Sequence, residues 1–313
     1  MGQNQIQGKK AQQKIQEFVD IHKFVHSKQF EAQSLKLLFS DKKISQSELQ
    51  KMAKVFQKYE NLQTLKLDLK SSLKSEHNPS DLIQILQSCQ NIDVLELDLG
   101  FNREAPAQIY QLVKTLRIML KLKTLILFLR LSQISQGLLL ELSNSLANLK
   151  NLQFFQVSLS GNTIESEQMS QLCEGLKQCS TLTKLNLHFS DCAMEDKVFF
   201  ILSMSILELK NLTQLFLQLS CNRIDKSIVD LGNNLKFCQQ LRSLNIIIPF
   251  NIVSNESIFG LLVALRNCEN LTQISFASLI QRIAVPKIQP QEKMEMSNNL
   301  KKSRKLVLLN LII

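Results

Sequence analysis

The chain has no tryptophan, only five prolines and only eight glycines in 313 residues. So few breakers leave little room for long loops or collagen-like segments. It lacks an apolar run of 18 residues, and no apolar stretch follows the N-terminus, so neither a membrane span nor a signal peptide is read. Acidic residues fall short of basic ones, 27 against 37, for a net charge of +10. The excess sits at the two ends, in Lys9, Lys10, Lys14, Lys23 and Lys28 and in Lys301, Lys302, Arg304 and Lys305. A basic stripe through the middle would point to nucleic acid. Charge at the ends points to solvated flanks.

Catalytic signatures are also missing. There is no glycine-rich nucleotide loop, zinc-ligand spacing or nucleophile elbow. Gly2 and Gly8-Lys9 echo a phosphate loop, but the spacing is one residue too long and Lys10 stands where Ser or Thr is required. Met1-Gly2 invites myristoylation, yet Ile6 occupies the Ser/Thr position. His22 and His26 are four residues apart, a spacing that can clamp a metal, with no further ligand nearby. The expectation is no cofactor, no metal and no enzyme.

What is present is a repeat. Residues 211–224 place Leu212, Leu215, Leu217 and Leu219 before Asn222 and Ile224. Residues 151–164 repeat the pattern with Leu152, Phe155, Val157, Leu159, Asn162 and Ile164. Frames starting at Glu31, Asn61, Asn91, Lys121, Asn151, Thr181, Asn211 and Gln240 stack at 30 residues each, except for one spacing of 29. The second, fifth, seventh and ninth residues of each frame are apolar. Alternation over the last three is a strand signal, because neighbouring side chains leave opposite faces. The twelfth residue is Asn102, Asn162, Asn222 or Asn251, with Cys192 in one frame. An Asn there can bond backbone groups where the chain leaves the strand. The second half of each frame has helical spacing, as in Leu82, Ile85, Leu86 and Cys89, with Ser80 as a candidate N-cap. Small residues recur on this helix at Thr115, Ser145, Gly175, Ser205 and Ala264, where they allow close helix approach.

The seven cysteines do not form a disulfide pattern. Cys89, Cys179, Cys238 and Cys268 share one frame position, filled elsewhere by Met119, Leu149 and Leu209. A position that accepts Cys, Met or Leu is buried and apolar. Free buried thiols fit a reducing compartment, so the expected address is the cytoplasm, or else the nucleus.

The pattern L-x-x-L-x-L-x-L-x-x-N-x-I followed by a full helix resembles the ribonuclease-inhibitor-like subgroup of leucine-rich repeats, over residues 31–313. The resemblance implies a right-handed α/β solenoid, or horseshoe, with parallel strands on the concave face and helices on the convex face. It also implies protein binding. Residues 1–10 are expected to be a disordered N-terminus and residues 11–30 a capping helix built on Ile15, Phe18, Val19, His22 and Val25. The repeat domain follows over 31–313, with regular frames at 31–269, an irregular repeat at 270–304 and a terminal strand at 305–313.

The fourth, sixth and eighth residues of each frame would line the concave face. There Asp68, Glu96 and Asp98 form an acidic spot. Ile126, Phe128 and Phe154 form an apolar one, with Phe216 and Ile247 two to three strands further on and His188 in the eighth-residue row. Clustered aromatics on a concave sheet suit a protein partner. A basic, aromatic-interleaved stripe is missing from that face, so nucleic acid is not expected, and with no apolar span neither is a membrane. The leading reading is a scaffold that binds a protein on the concave face. The alternative is a regulator or activating protein of a small GTPase, which a hydrolysis assay on a GTPase panel would separate. Self-association through the C-terminal strand edge is a further expectation.

Overall fold

The computed structural model describes residues 14–135, 137–278, 291, 294 and 308–312. The strands are β1 (Ile15–Phe18), β2 (Ser34–Leu38), β3 (Thr64–Asp68), β4 (Val94–Asp98), β5 (Thr124–Phe128), β6 (Phe154–Ser158), β7 (Lys184–His188), β8 (Gln214–Gln218), β9 (Ser243–Ile247), β10 (Gln273–Ala277) and β11 (Leu308–Ile312). The helices are α1 (Ile21–Val25), α2 (Gln46–Phe56), α3 (Pro79–Ser88), α4 (Pro106–Thr115), α5 (Leu138–Asn148), α6 (Ser166–Lys177), α7 (Asp196–Ile206), α8 (Ser227–Leu235) and α9 (Asn255–Leu265). One sheet holds all eleven strands in sequence order, every pair parallel. Each helix carries the chain back so that the next strand lies beside the last. The result is a right-handed solenoid with the sheet on its concave side and the helices on its convex side.

The frame explains the register. Strands β2 to β10 occupy the fourth to eighth residues of their frames, and equivalent positions pair, as in Leu185 with Leu215 and Leu187 with Leu217. Fifth, seventh and ninth residues point inward and are buried, from Leu35, Leu37 and Phe39 through to Leu244, Ile246 and Ile248. The small helix residues are buried too. A Cβ on Gly175 would stand 2.5 Å from Ser143 Cα, so the α5–α6 approach depends on its absence.

The twelfth-residue ladder runs from Ser72 to Asn251. Asn102 Nδ2 donates to Leu69 O and Leu99 O, both at 2.9 Å, while its Oδ1 accepts from Leu73 N at 2.8 Å. Asn162, Asn222 and Asn251 likewise donate back to Leu129 O, Phe189 O and Leu219 O. Where the Asn is missing, a smaller donor takes the same acceptor. Ser72 Oγ donates to Phe39 O, Ser132 Oγ to Leu99 O and Cys192 Sγ to Leu159 O. Burial pushes the Cys192 thiol up to about 12, which keeps it a donor.

Two expectations are corrected. The helix expected over residues 11–30 is strand β1 followed by the five-residue α1. Ile15 and Val19, assigned to a buried helical face, are each 58% exposed. β1 gains a parallel ladder with β2, from Ile15 opposite Ser34 to Phe18 opposite Leu37, and Asp20 then caps α1 through Lys23 N. Tertiary pairing overrides a helical spacing only a few residues long. Inside, Phe18, Phe24, Phe30, Phe39, Phe56 and Tyr59 close this end of the core, with Phe24 5.3 Å from Phe18 and 5.5 Å from Phe56. The second correction concerns α3. Its N-cap is Asn78, whose Oδ1 accepts from Ser80 N at 3.0 Å, with Pro79 at the first helical position. The residues expected to be a disordered N-terminus, 1–10, lie outside the described residues, as does most of the expected irregular repeat. Its first residues are described and regular: β10, inside the expected irregular repeat, remains in register with β9.

Candidate functional site

Fourth, sixth and eighth residues reach the concave surface because the fifth and seventh are committed to the core. Strand register then sets who meets whom. Asp98, Phe128, Ser158, His188, Gln218 and Ile247 form one row across β4 to β9. Ile126, Gln156, Asn186, Phe216 and Asn245 form the row beneath it. Phe154 lies between Thr124 and Lys184. Ile126 and Phe128 on β5 and Phe154 on β6 thus lie on adjacent strands, but Phe128 is opposite Ser158, four residues along from Phe154; Phe216 and Ile247 sit on the adjacent strands β8 and β9. All five side chains are half-buried, not fully exposed. At about 4.8 Å per strand, Ile126 and Phe216 are roughly 14 Å apart along the row.

A neutral polar seam separates the two apolar spots. Asn186 Nδ2 donates to Gln156 Oε1 at 3.1 Å. His188 Nδ1 stands 3.0 Å from Gln218 Oε1, an acceptor that places the proton on Nδ1, and its ring is 5.1 Å from that of Phe216. Burial holds His188 below the ordinary histidine value; the Gln218 bond opposes this and the Arg130 charge adds to it. The imidazole is neutral at physiological pH.

The acidic spot is less acidic than its composition suggests. Lys66 Nζ contacts Glu96 Oε1 at 2.6 Å, and Arg130 Nη2 lies 3.7 Å from Asp98 Oδ2. Asp98 Oδ1 accepts from Gly100 N and Asp68 Oδ1 from Lys70 N. Burial raises the Asp98 carboxyl, the Gly100 bond opposes it, and the Asp68 charge adds to the rise. Arg130 was not anticipated. Its guanidinium lies 5.3 Å over the Phe128 ring, so it links the charged and apolar spots. Lys70 similarly covers Phe101 at 5.0 Å. These cations belong to the rim where strands turn into loops, so the basic, aromatic-interleaved character missing from the concave face is present beside it.

The two histidines with metal-like spacing diverge: His26 Nδ1 lies 2.8 Å from His22 O, and His22 Nε2 lies 3.5 Å from Glu48. No group of three metal-type side chains gathers among the described residues. Among them, too, no helix is long and apolar enough to cross a membrane. All seven cysteines are unpaired and all but Cys221 are buried.

No family model matches the chain, and no curated protein matches it. Solved structures with a similar fold include leiomodin-1 Actin-Binding Site 2, at 16% identity and TM-score 0.39, covering 54% of this chain and 90% of that one. The Caenorhabditis elegans tropomodulin C-terminal domain has 13% identity and TM-score 0.36, over 51% of this chain and 92% of that one. TLR13 in complex with ssRNA13 has 15% identity and TM-score 0.36, over 86% of this chain and 38% of that one. These likenesses are too distant to assign a role to this chain. The 30-residue period, the single parallel sheet and the cross-repeat side-chain ladder identify the chain as a leucine-rich repeat protein.

Proposed function

We propose that the chain is a non-enzymatic scaffold that binds a protein partner on its concave face. A full helix in every regular frame supports placement in the ribonuclease-inhibitor-like subgroup. The observation that carries the functional reading is the pair of apolar spots, Ile126–Phe128–Phe154 and Phe216–Ile247, held on one sheet across a seam of Gln156, Asn186 and His188. Half-buried aromatics beside neutral polar side chains are the composition of interface anchors and their surround. Two charged pairs there are engaged: Lys66 with Glu96, and Arg130 with Asp98. That pattern suits recognition rather than acid–base work.

The test is affinity capture from native lysate with wild type and with Phe128→Ala/Phe154→Ala. The expected result is a protein retained by the wild type and lost from the double variant, with the denaturant midpoint little changed. Equal capture by both removes the concave site. The terminal strand supports a separate association. β11 pairs with β10 alone among the described residues, and a parallel edge can accept a strand from a second copy. A mass that rises with concentration in light scattering supports this; a constant monomer mass removes it.

A further inference from the structure

The eleventh residue of every regular frame, just past the strand, is left-handed. Asp41, Ser71, Phe101, Leu131, Asp191, Cys221 and Phe250 have φ between 49° and 61°, and Gly161 has 74°. The column is locked by its own ladder. Ser71 N donates to Gly100 O, Phe101 N to Arg130 O, Leu131 N to Ser160 O, Gly161 N to Ser190 O and Cys221 N to Pro249 O. The backbone is thus fixed, and the side chains emerge in line, one per repeat, at about 4.8 Å spacing.

Asp41, Gly161 and Asp191 suit that backbone, but the bulky members of the column do not. Left-handed φ favours Gly, Asn and Asp and disfavours bulky side chains, whose Cβ crowds the following carbonyl. Leu131 is half-buried over Gly161, but Phe101 and Phe250 accept that strain without gaining burial: Phe101 is 41% and Phe250 39% exposed, and neighbouring Ile252 is 47% exposed. Neither the backbone nor the core explains two exposed phenylalanines here. Strain held in place by surrounding structure is a mark of a functional position.

The rim also has the shape of a groove. The one glycine of the column, Gly161, opens a notch, into which Leu131 leans: a Cβ at 161 would meet Leu131 Cδ2 at 2.4 Å. Hollows of about 350 Å³ and 520 Å³ flank it. Both are lined by Gly161, Asn162 and Thr163; the first runs to Arg103 and the second to Phe250. The tenth to thirteenth residues of the frames carry six cations, Lys42, Lys43, Lys70, Arg103, Arg130 and Arg223, against two anions, Asp41 and Asp191.

We propose that this strand-to-helix rim is a second docking surface, separate from the concave face, for an extended acidic peptide with apolar side chains that seat at Phe101, Leu131 and Phe250. Charge complementarity sets the acidic character. The five repeat spacings from Phe101 to Phe250 come to about 24 Å, a span of roughly seven extended residues. A polynucleotide fits less well. Leu131, Cys221 and Ile252 offer no stacking face for bases.

The probe is a displayed library of random peptides of about ten residues, selected on the full chain. Enriched clones are expected to be net acidic with aromatic or aliphatic residues, and to lose at least about tenfold in affinity on Phe101→Asn/Phe250→Asn. Asn tolerates left-handed φ, so that variant should keep or raise the denaturant midpoint. Clones that instead lose binding on Phe128→Ala/Phe154→Ala report the concave face, so the two surfaces are read separately. The proposal is overturned if no clones enrich, if they lack acidic bias, if they bind the rim variant as tightly, or if that variant's midpoint falls, which would show a packing role. Rim-dependent binding of a uridine oligonucleotide would also overturn it, by assigning the surface to nucleic acid.

Discussion

Asn222 Nδ2 stands 2.7 Å from Phe189 O, one repeat back, and 2.8 Å from Leu219 O in its own repeat. Its Oδ1 accepts from Cys192 N at 3.1 Å and Met194 N at 3.0 Å. One side chain therefore satisfies buried backbone groups in two adjacent turns of the solenoid. Stability at this position is a property of the pair of repeats, not of either one.

Asn222→Ala should lower stability by about 1–3 kcal/mol, the cost of leaving buried backbone groups unpaired. Asn222→Ser should cost less, because Ser72 and Ser132 already make the equivalent donation elsewhere. Chemical denaturation checks both. An unchanged midpoint for the Ala variant would show that the ladder does not couple the repeats.

Gly161→Ala should destabilise by about 1–2 kcal/mol from left-handed φ alone, with a further loss from the Leu131 clash. Adding Leu131→Ala should recover the clash but not the backbone cost. Equal midpoints for the single and double variants would show that Leu131 is free to move aside.

Asp196 accepts from the backbone N–H groups of Asp225, Lys226 and Ser227, and from Ser227 Oγ, so it caps α8 from the neighbouring repeat. Burial alone would raise its carboxyl, but these bonds outweigh it and hold it below the ordinary value of 3.8. A depressed folded-state value means that its contribution is complete above the unfolded value and lost as pH falls through the folded one. Asp196→Ala should cost about 1 kcal/mol at neutral pH, typical of a lost cap. The difference between variant and wild type should close as the solution is taken below the folded-state value. A gap that persists undiminished in acid would show that the side chain acts through packing instead.

Thiol chemistry reports the core. Cys221 is exposed and the other six cysteines are buried. Burial pushes Cys89, Cys179 and Cys268 up to about 12, so they remain unreactive thiols. A maleimide should label the native chain at Cys221 alone and all seven sites after unfolding. Fast native labelling of Cys179 would show that the core opens there.

The repeat made the core legible. Positions two, five, seven and nine recur often enough that Leu185, Leu187 and Phe189 could be assigned to the interior from spacing alone, and the shared Cys position could be assigned there too. The concave rows followed, since a strand's other face is then determined. The sequence did not reveal β1, because Ile15, Phe18 and Val19 satisfy a helical spacing over too short a stretch to settle the matter. Ser72 and Ser132 carry no ladder signal in the sequence, because a serine is equally common on a surface turn. The role of Arg130 is not legible from spacing, because its contacts with Asp98 on the neighbouring strand and with Phe128 depend on where its long side chain folds. The left-handed column was invisible for a different reason: Phe101, Leu131 and Phe250 are not the residues that signal positive φ. The tenth and eleventh frame positions, set beside the concave ones, carry the signal for both.

The most direct test of the concave-face reading is hydroxyl-radical footprinting of the chain, free and bound to its captured partner. Oxidation of Phe128, Phe154, Phe216 and His188 should fall in the complex, while Phe200 and Phe259, 43% and 38% exposed on the convex helices, should be unchanged. Protection of Phe200 and Phe259 with no change at Phe128, Phe154 and Phe216 would contradict it and move the interface to the helical side.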